Sequence, residues 1–133
     1  MSVSVDPNPK RFYLAVNKWL PVIGHEIKID NYRFCAIPIN DYINISEVTS
    51  GSKICNFPVN EFTRMATTTK EGSMAIFEMI GMKLKTLIEK QEDINVRIKN
   101  NRDLAFHRLG EMPSIEYVDI EQLTANQEGS AEG

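Results

Sequence analysis

The sequence is poor in the residues that build metal sites and disulfide frameworks. It has 2 cysteines and 2 histidines in 133 residues, and neither cysteine belongs to a C-x-x-C pair. The phosphate loop, the G-x-G-x-x-G fingerprint, the H-E-x-x-H zinc motif and the G-x-S-x-G nucleophile motif are also missing. These absences disfavour the familiar nucleotide, zinc and acyl-transfer enzymes, and we expect no catalytic residues, no cofactor and no metal.

Long hydrophobic runs are missing as well. The apolar stretch at residues 19–23 contains Pro21 and is far shorter than the roughly 20 residues that span a bilayer. The N-terminus does not show a basic segment followed by a hydrophobic segment and a cleavage site. We therefore expect a cytoplasmic protein that does not enter a membrane, with Cys35 and Cys55 as reduced core residues.

Proline is absent between Pro58 and Pro113, and this interval carries the strongest secondary-structure pattern. Residues 68–71 read Thr-Thr-Lys-Glu, a capping box that is typical of a helix start. Gly110, followed by Pro113, is typical of a helix end. Apolar residues recur at steps of three and four in between, which predicts a helix over about 69–109.

A continuous helix of that length would measure about 60 Å, more than the rest of the chain can cover. Its apolar residues follow heptad spacing, as in a coiled coil, so we predict that the chain forms a homo-oligomer, most simply a dimer. The alternative is a helical hairpin that breaks at one of two polar segments, 90–93 or 99–102. The predicted oligomer seam consists of Phe77, Ile80, Leu84, Leu87, Gln91, Ile94 and Ile98.

The first half of the chain is rich in β-branched and aromatic residues, arranged in short runs between turn residues. The predicted fold class is α+β, with a small antiparallel sheet of about five strands in residues 12–59 packed on the long helix. Residues 115–120 mostly alternate and could add a final strand. The predicted strands lie at 12–16, 25–29, 32–39, 43–48 and 53–59.

The two ends of the chain differ in composition from the middle. Residues 1–9 contain two prolines and no apolar cluster, which predicts an extended or flexible arm. Residues 124–133 are small and polar, which predicts a disordered tail that is dispensable for folding. We expect residues 10–123 to form a single α+β domain.

Positive charge is distributed unevenly. All 15 lysines and arginines precede residue 111, whereas six of the 18 acidic residues follow residue 110. The basic run near the helix end could bind phosphates or an acidic protein, or it could be a solvated helix face. Aromatic and basic residues cluster at 10–13 and 32–34, where the rings could stack on bases or pack in the core. Candidate polyanion or partner contacts are Arg97, Lys99, Arg102, Arg108, Arg11 and Arg33.

These observations favour a non-enzymatic, homo-oligomeric interaction protein. We expect a small regulator or inhibitor that occupies the surface of a partner macromolecule, most simply a protein. The alternative is a nucleic-acid-binding protein that uses the basic helix end and the aromatic strand surface. A small enzyme with a site near His25 is the third class. All three rest on composition and pattern, because fold alone does not determine function.

Overall fold

The computed structural model describes residues 1–119. In this part of the chain an antiparallel sheet is followed by three helices and a short returning strand. The elements are β1 (Val3–Val5), β2 (Lys10–Ala15), β3 (Trp19–Ile29), β4 (Tyr32–Ile39), β5 (Tyr42–Glu47), β6 (Ser52–Pro58), α1 (Glu61–Ala66), α2 (Lys70–Lys90), α3 (Ile94–Leu109) and β7 (Glu116–Tyr117).

The strands form one curled sheet in the order β6-β5-β4-β3-β2-β7, and β1 also pairs with β3. The long strand β3 carries β2 along residues 19–24 and β1 along residues 27–29. β4 pairs with residues 25–29 of β3. The α+β class predicted from the sequence, an antiparallel sheet packed on a long helix, is confirmed.

Each face of the sheet has its own core. α2 buries a stripe of residues at helical spacing against one face, where they meet the β-branched and aromatic residues of β3, β4 and β5. The concave face is filled by a smaller cluster around Phe12, Cys35, Ile37 and Val48. The α2 stripe consists of Ile76, Phe77, Ile80, Leu84 and Ile88.

The curl brings the turn between β5 and β6 against β2. The Ala15 N–H donates to the Gly51 C=O over 2.9 Å. Gly51 has a φ of 67°, and a Cβ there would lie 2.7 Å from the Tyr13 carbonyl oxygen. A side chain at Gly51 would therefore be strained and would force β2 away from the turn.

Two parts of the sheet differ from the sequence prediction. Residues 3–5, assigned to a flexible arm, form β1, because Val3 and Val5 pack against the α2 core. Residues 19–24 belong to β3 despite Pro21. That half of β3 pairs with β2 alone among the described residues, and proline is tolerated on such an edge.

The predicted final strand at 115–120 is shorter in the structure. Glu116 and Tyr117 pair with Arg11 and Lys10. The Val118 N–H donates to the Pro9 C=O over 3.0 Å. The rest of this predicted strand and the predicted tail at 124–133 lie outside the described residues.

The helix predicted over about 69–109 is two helices. The Thr69 hydroxyl oxygen accepts from the Gly72 N–H over 3.0 Å where α2 begins. Gln91 has extended backbone angles where α2 ends. The continuous helix was therefore wrong, and the break falls in the polar segment 90–93 that we named for the alternative. None of the helices in residues 1–119 is long and apolar enough to cross a membrane.

Tertiary contacts of α3 explain the break, since the segment contains neither glycine nor proline. Ala105 of α3 is buried, and the Phe106 ring meets the Trp19 ring edge-on at 5.7 Å. The Trp19 indole N–H donates to the Gly110 C=O over 3.2 Å. The chain turns after α2 so that α3 reaches the β2–β3 turn, a position that a straight helix would miss.

Candidate functional site

An open groove lies where α2 ends, α3 begins and β6 passes beside them. We call it the α2–α3 groove, and its volume is about 280 Å³. Its lining residues are Phe34, Lys53, Ile54, Cys55, Leu84, Leu87, Ile88, Gln91, Ile94, Arg97, Ile98 and Asn101.

The floor and the walls of the groove are apolar. Phe34 and Leu84 are each 1% exposed and form part of the floor. Ile54 and Leu87 are 40% and 44% exposed, which leaves their side chains open to an occupant. The break at 91–93 creates this surface, because it brings Ile94 and Ile98 next to the sheet.

The polar residues of the groove are neutral or positive. Lys53 and Arg97 supply the charges, and Gln91 and Asn101 are neutral. The Arg97 Nη1 donates to the Gln91 Oε1 over 3.1 Å, which holds the guanidinium beside the groove. Among the described residues that line the groove there is no aspartate or glutamate. The groove is therefore apolar with a cationic rim.

The predicted oligomer seam is divided between the core and this groove. Phe77, Ile80 and Leu84 are 3%, 1% and 1% exposed, so they are core residues of the chain itself, and Leu84 also forms part of the groove floor. This part of the predicted seam was wrong, because the apolar stripe of α2 covers the chain's own sheet. The other four predicted seam residues line the groove: Leu87, Gln91, Ile94 and Ile98.

The candidate polyanion contacts do not form one patch. Arg33 and Arg102 share a concavity beside β4 and α3. Arg97 lines the α2–α3 groove. Lys99 is engaged with Asp103 over 2.9 Å.

The remaining two contacts lie on other surfaces. The Arg108 Nη1 donates to the Val16 C=O over 3.4 Å, close to the β2–β3 turn. Arg11 is exposed on β2, opposite Ile23. The cations of the basic helix end predicted from the sequence are therefore spread over several surfaces.

A buried ion-pair network was not anticipated from the sequence. Glu26 is 3% exposed, and its Oε1 accepts from the Lys10 Nζ over 2.8 Å. Arg33 donates to the same carboxylate from Nε over 2.8 Å and from Nη2 over 2.9 Å. A glutamate between His25 and Ile27 of β3 was the available sequence clue, but its partners lie 16 and 7 positions away.

The electrostatics of this network favour charged side chains. Burial by itself would raise the pKa of Glu26, but the hydrogen bonds from Arg33 and Lys10 outweigh it and hold the pKa below its usual value. Burial would lower the pKa of Lys10, and the bond to Glu26 raises it above its usual value. An open cavity of about 570 Å³ lies over the network. Both carboxylate oxygens of Glu26 on β3 have partners within the chain, Lys10 on β2 and Arg33 on β4. The network therefore joins these three strands.

The cysteines and His25 are not assembled into one site. The His25 ring lies 5.3 Å from the Phe77 ring on the α2 side of the sheet. Cys35 belongs to the concave core, where burial raises the pKa of its thiol to about 12. Burial also raises the pKa of the Cys55 thiol. Within residues 1–119 no group of three or more His, Cys, Asp or Glu side chains is arranged to hold a metal ion.

Several other large apolar side chains are exposed, and the most exposed of them lie on α1. Phe62 and Met65 on α1 are 73% and 74% exposed and lie one turn apart. α1 has only 6 residues. These two side chains are the main competitor of the groove as a contact surface.

Known proteins give no further guidance to the site. In comparisons with protein-family models, curated proteins and solved structures, the chain matches none of them significantly.

Proposed function

We propose that this chain is a non-enzymatic interaction protein that binds a partner protein through the α2–α3 groove. In this role it would act as a regulator or inhibitor by occupying the partner's surface. The observation that supports the proposal most strongly is the combination of an apolar floor, exposed Leu87 and Ile54, and a polar rim. That combination is the usual anatomy of a protein interface.

The size of the groove indicates how a partner would bind. A volume of about 280 Å³ admits a few side chains rather than a large ligand. In protein interfaces a few anchor residues in well-packed pockets carry most of the binding energy. We therefore propose that a partner inserts one or two apolar anchors between Leu87 and Ile98.

The most deeply buried polar groups are occupied within the fold, which supports binding rather than catalysis. Both oxygens of Glu26 accept hydrogen bonds from Lys10 and Arg33. Both oxygens of Glu47 accept from Thr49 and Ser50 in the β5–β6 turn. These carboxylates stabilise turns and strand contacts and offer no free atom to a substrate.

Self-association is the second candidate for the same surface. Five residues of the predicted seam line the groove, so a second copy would compete with a partner for Leu87 and Ile98. Nucleic-acid binding has less support. Phe12 and Phe34 are each 1% exposed and cannot stack on bases, and Arg33 is paired with Glu26.

Site-specific photo-crosslinking in the native host tests the proposal. We expect p-benzoylphenylalanine at position 87 to give a discrete product with a second protein, since Leu87 forms an open wall of the groove. The same group at position 82 serves as the matched control. Met82 is 52% exposed on the same helix but does not line the groove.

The mass of the crosslinked product separates the candidates. A crosslinked product that contains this chain and a different protein, formed from position 87 and not from position 82, supports the proposal. A product of twice the chain mass would instead make self-association the function of the groove. Equal products from positions 87 and 82, or none from 87, would contradict the proposal.

A further inference from the structure

The charge of the groove limits the chemistry of its occupant. Lys53 and Arg97 lie beside the apolar floor without a carboxylate among the lining residues. An occupant with acidic side chains next to its apolar anchors would meet complementary charge, which favours association and selects against basic partners. If a second copy bound groove to groove, Lys53 and Arg97 of one chain would face the same two cations of the other chain. Their repulsion disfavours that arrangement.

The edge strand beside the groove is poorly suited to pairing with an extended segment. β6 is the terminal strand of the sheet and pairs only with β5 among the described residues. Ile45 pairs with Cys55 and Ser46 with Lys53, so Ile54 is left unpaired in a bulge. A bulge, an edge lysine and a proline such as Pro58 are features that protect edge strands from strand addition.

The protected edge has a consequence for the occupant's backbone. A segment that lies over an apolar floor without a strand to pair with must satisfy its own N–H and C=O groups. An α-helix does so internally and can direct residues at i and i+4 into one groove. The occupant is therefore expected to be helical.

We infer that the α2–α3 groove binds an acidic amphipathic helix of a partner protein. The inference rests on the proposed function and specifies the partner's chemistry. Apolar side chains of the helix contact Leu87, Ile54 and Ile98. Acidic residues that flank those anchors face Arg97 and Lys53.

A displayed library of single helices with randomised apolar and charged positions is selected against the full-length chain. We expect the enriched helices to carry two apolar residues at i and i+4 with flanking Asp or Glu. The Arg97→Glu variant should bind them about tenfold more weakly, because an attraction becomes a repulsion at the rim. Helices with Lys in place of the flanking acidic residues should recover the lost affinity when they bind the Arg97→Glu variant.

The matched controls are Lys85→Glu, a charge reversal on α2 outside the groove, and Ile98→Arg, which places a charge on the apolar wall. Lys85→Glu should leave affinity within about twofold, and Ile98→Arg should abolish binding. Circular dichroism establishes that each variant is folded before its affinity is measured.

The outcomes separate the inference from the proposed function. Helices that lose binding with Ile98→Arg but show no acidic preference and no charge-swap rescue would overturn the inference and leave the groove as a binding site. Selected peptides that are extended, or a selection without binders, would also overturn it. Binders unaffected by Ile98→Arg would contradict the proposed function itself. Tighter binding after deletion of residues 120–133 would identify the chain itself as the occupant and overturn the inference.

Discussion

Replacing Glu26 with alanine is expected to lower the free energy of unfolding by about 3 kcal/mol. The substitution removes the carboxylate at 2.8 Å from Lys10, which is only 14% exposed, and leaves it the more distant Asp6 Oδ2 at 3.5 Å. Arg33 is 36% exposed and can turn toward water, which places the expected loss near the lower end for broken buried ion pairs. Urea unfolding at neutral pH measures the change.

The contribution of Glu26 to the free energy of unfolding should decrease as the pH falls. The folded-state pKa of Glu26 is lowered from its ordinary value of 4.5, so its contribution is present above that pH and is lost as the pH falls through the folded pKa. The Glu26→Ala variant should therefore differ most from wild type at neutral pH and least in acid. Exposed Glu89→Ala is the control, with a change within about 0.5 kcal/mol. Equal losses for the two variants would show that the network does not stabilise the fold.

The second large effect is expected for Leu84→Ala. Leu84 is 1% exposed on the buried face of α2, and removal of its side chain should leave a cavity that costs about 2–5 kcal/mol. Leu87, three residues further along, is 44% exposed. Its replacement by alanine should cost less than about 1 kcal/mol, because less apolar area is lost from the core.

Protein concentration distinguishes a core residue from an interface residue. The unfolding midpoint of Leu84→Ala should be the same at low and high protein concentration, since Leu84 contacts its own sheet. An effect that appears only at high concentration, with a shift in sedimentation, would return Leu84 to the oligomer seam predicted from the sequence.

The sequence predicts the fold class because periodicity and turn chemistry are local. The runs in residues 12–59 become strands, and the α2 start lies within a residue of the predicted cap, at Thr69. β1 was missed because Val3 and Val5 are too few to form an apolar pattern. Their strand exists through pairing with Ile27 and Ile29, a contact that no local pattern reveals.

The seam shows a different limit of sequence patterns. A stripe such as Ile80 and Leu84 serves equally to cover a sheet of the same chain or to meet a second chain. Only the tertiary structure separates the two. The break at 91–93 likewise depends on the contact of Phe106 with Trp19 in the distant β2–β3 region rather than on a helix-breaking residue.

The candidate groove could be predicted only in part. Leu87, Ile94 and Ile98 were singled out by their spacing, and Arg97 by its basic neighbours. Lys53 and Ile54 were not connected with them, because even the nearer of the two, Ile54, lies 33 positions before Leu87 in the sequence. The cationic, apolar character of the groove appears only when these elements meet.

Methyl NMR of the full-length chain, titrated with a selected acidic helix, tests the central claim most directly. We predict shifts that saturate with the helix at Leu87, Ile54 and Ile98, which line the groove. Met65 on α1 should remain unshifted. Shifts confined to Met65, or spread over the chain without a focus on the groove, would contradict the account.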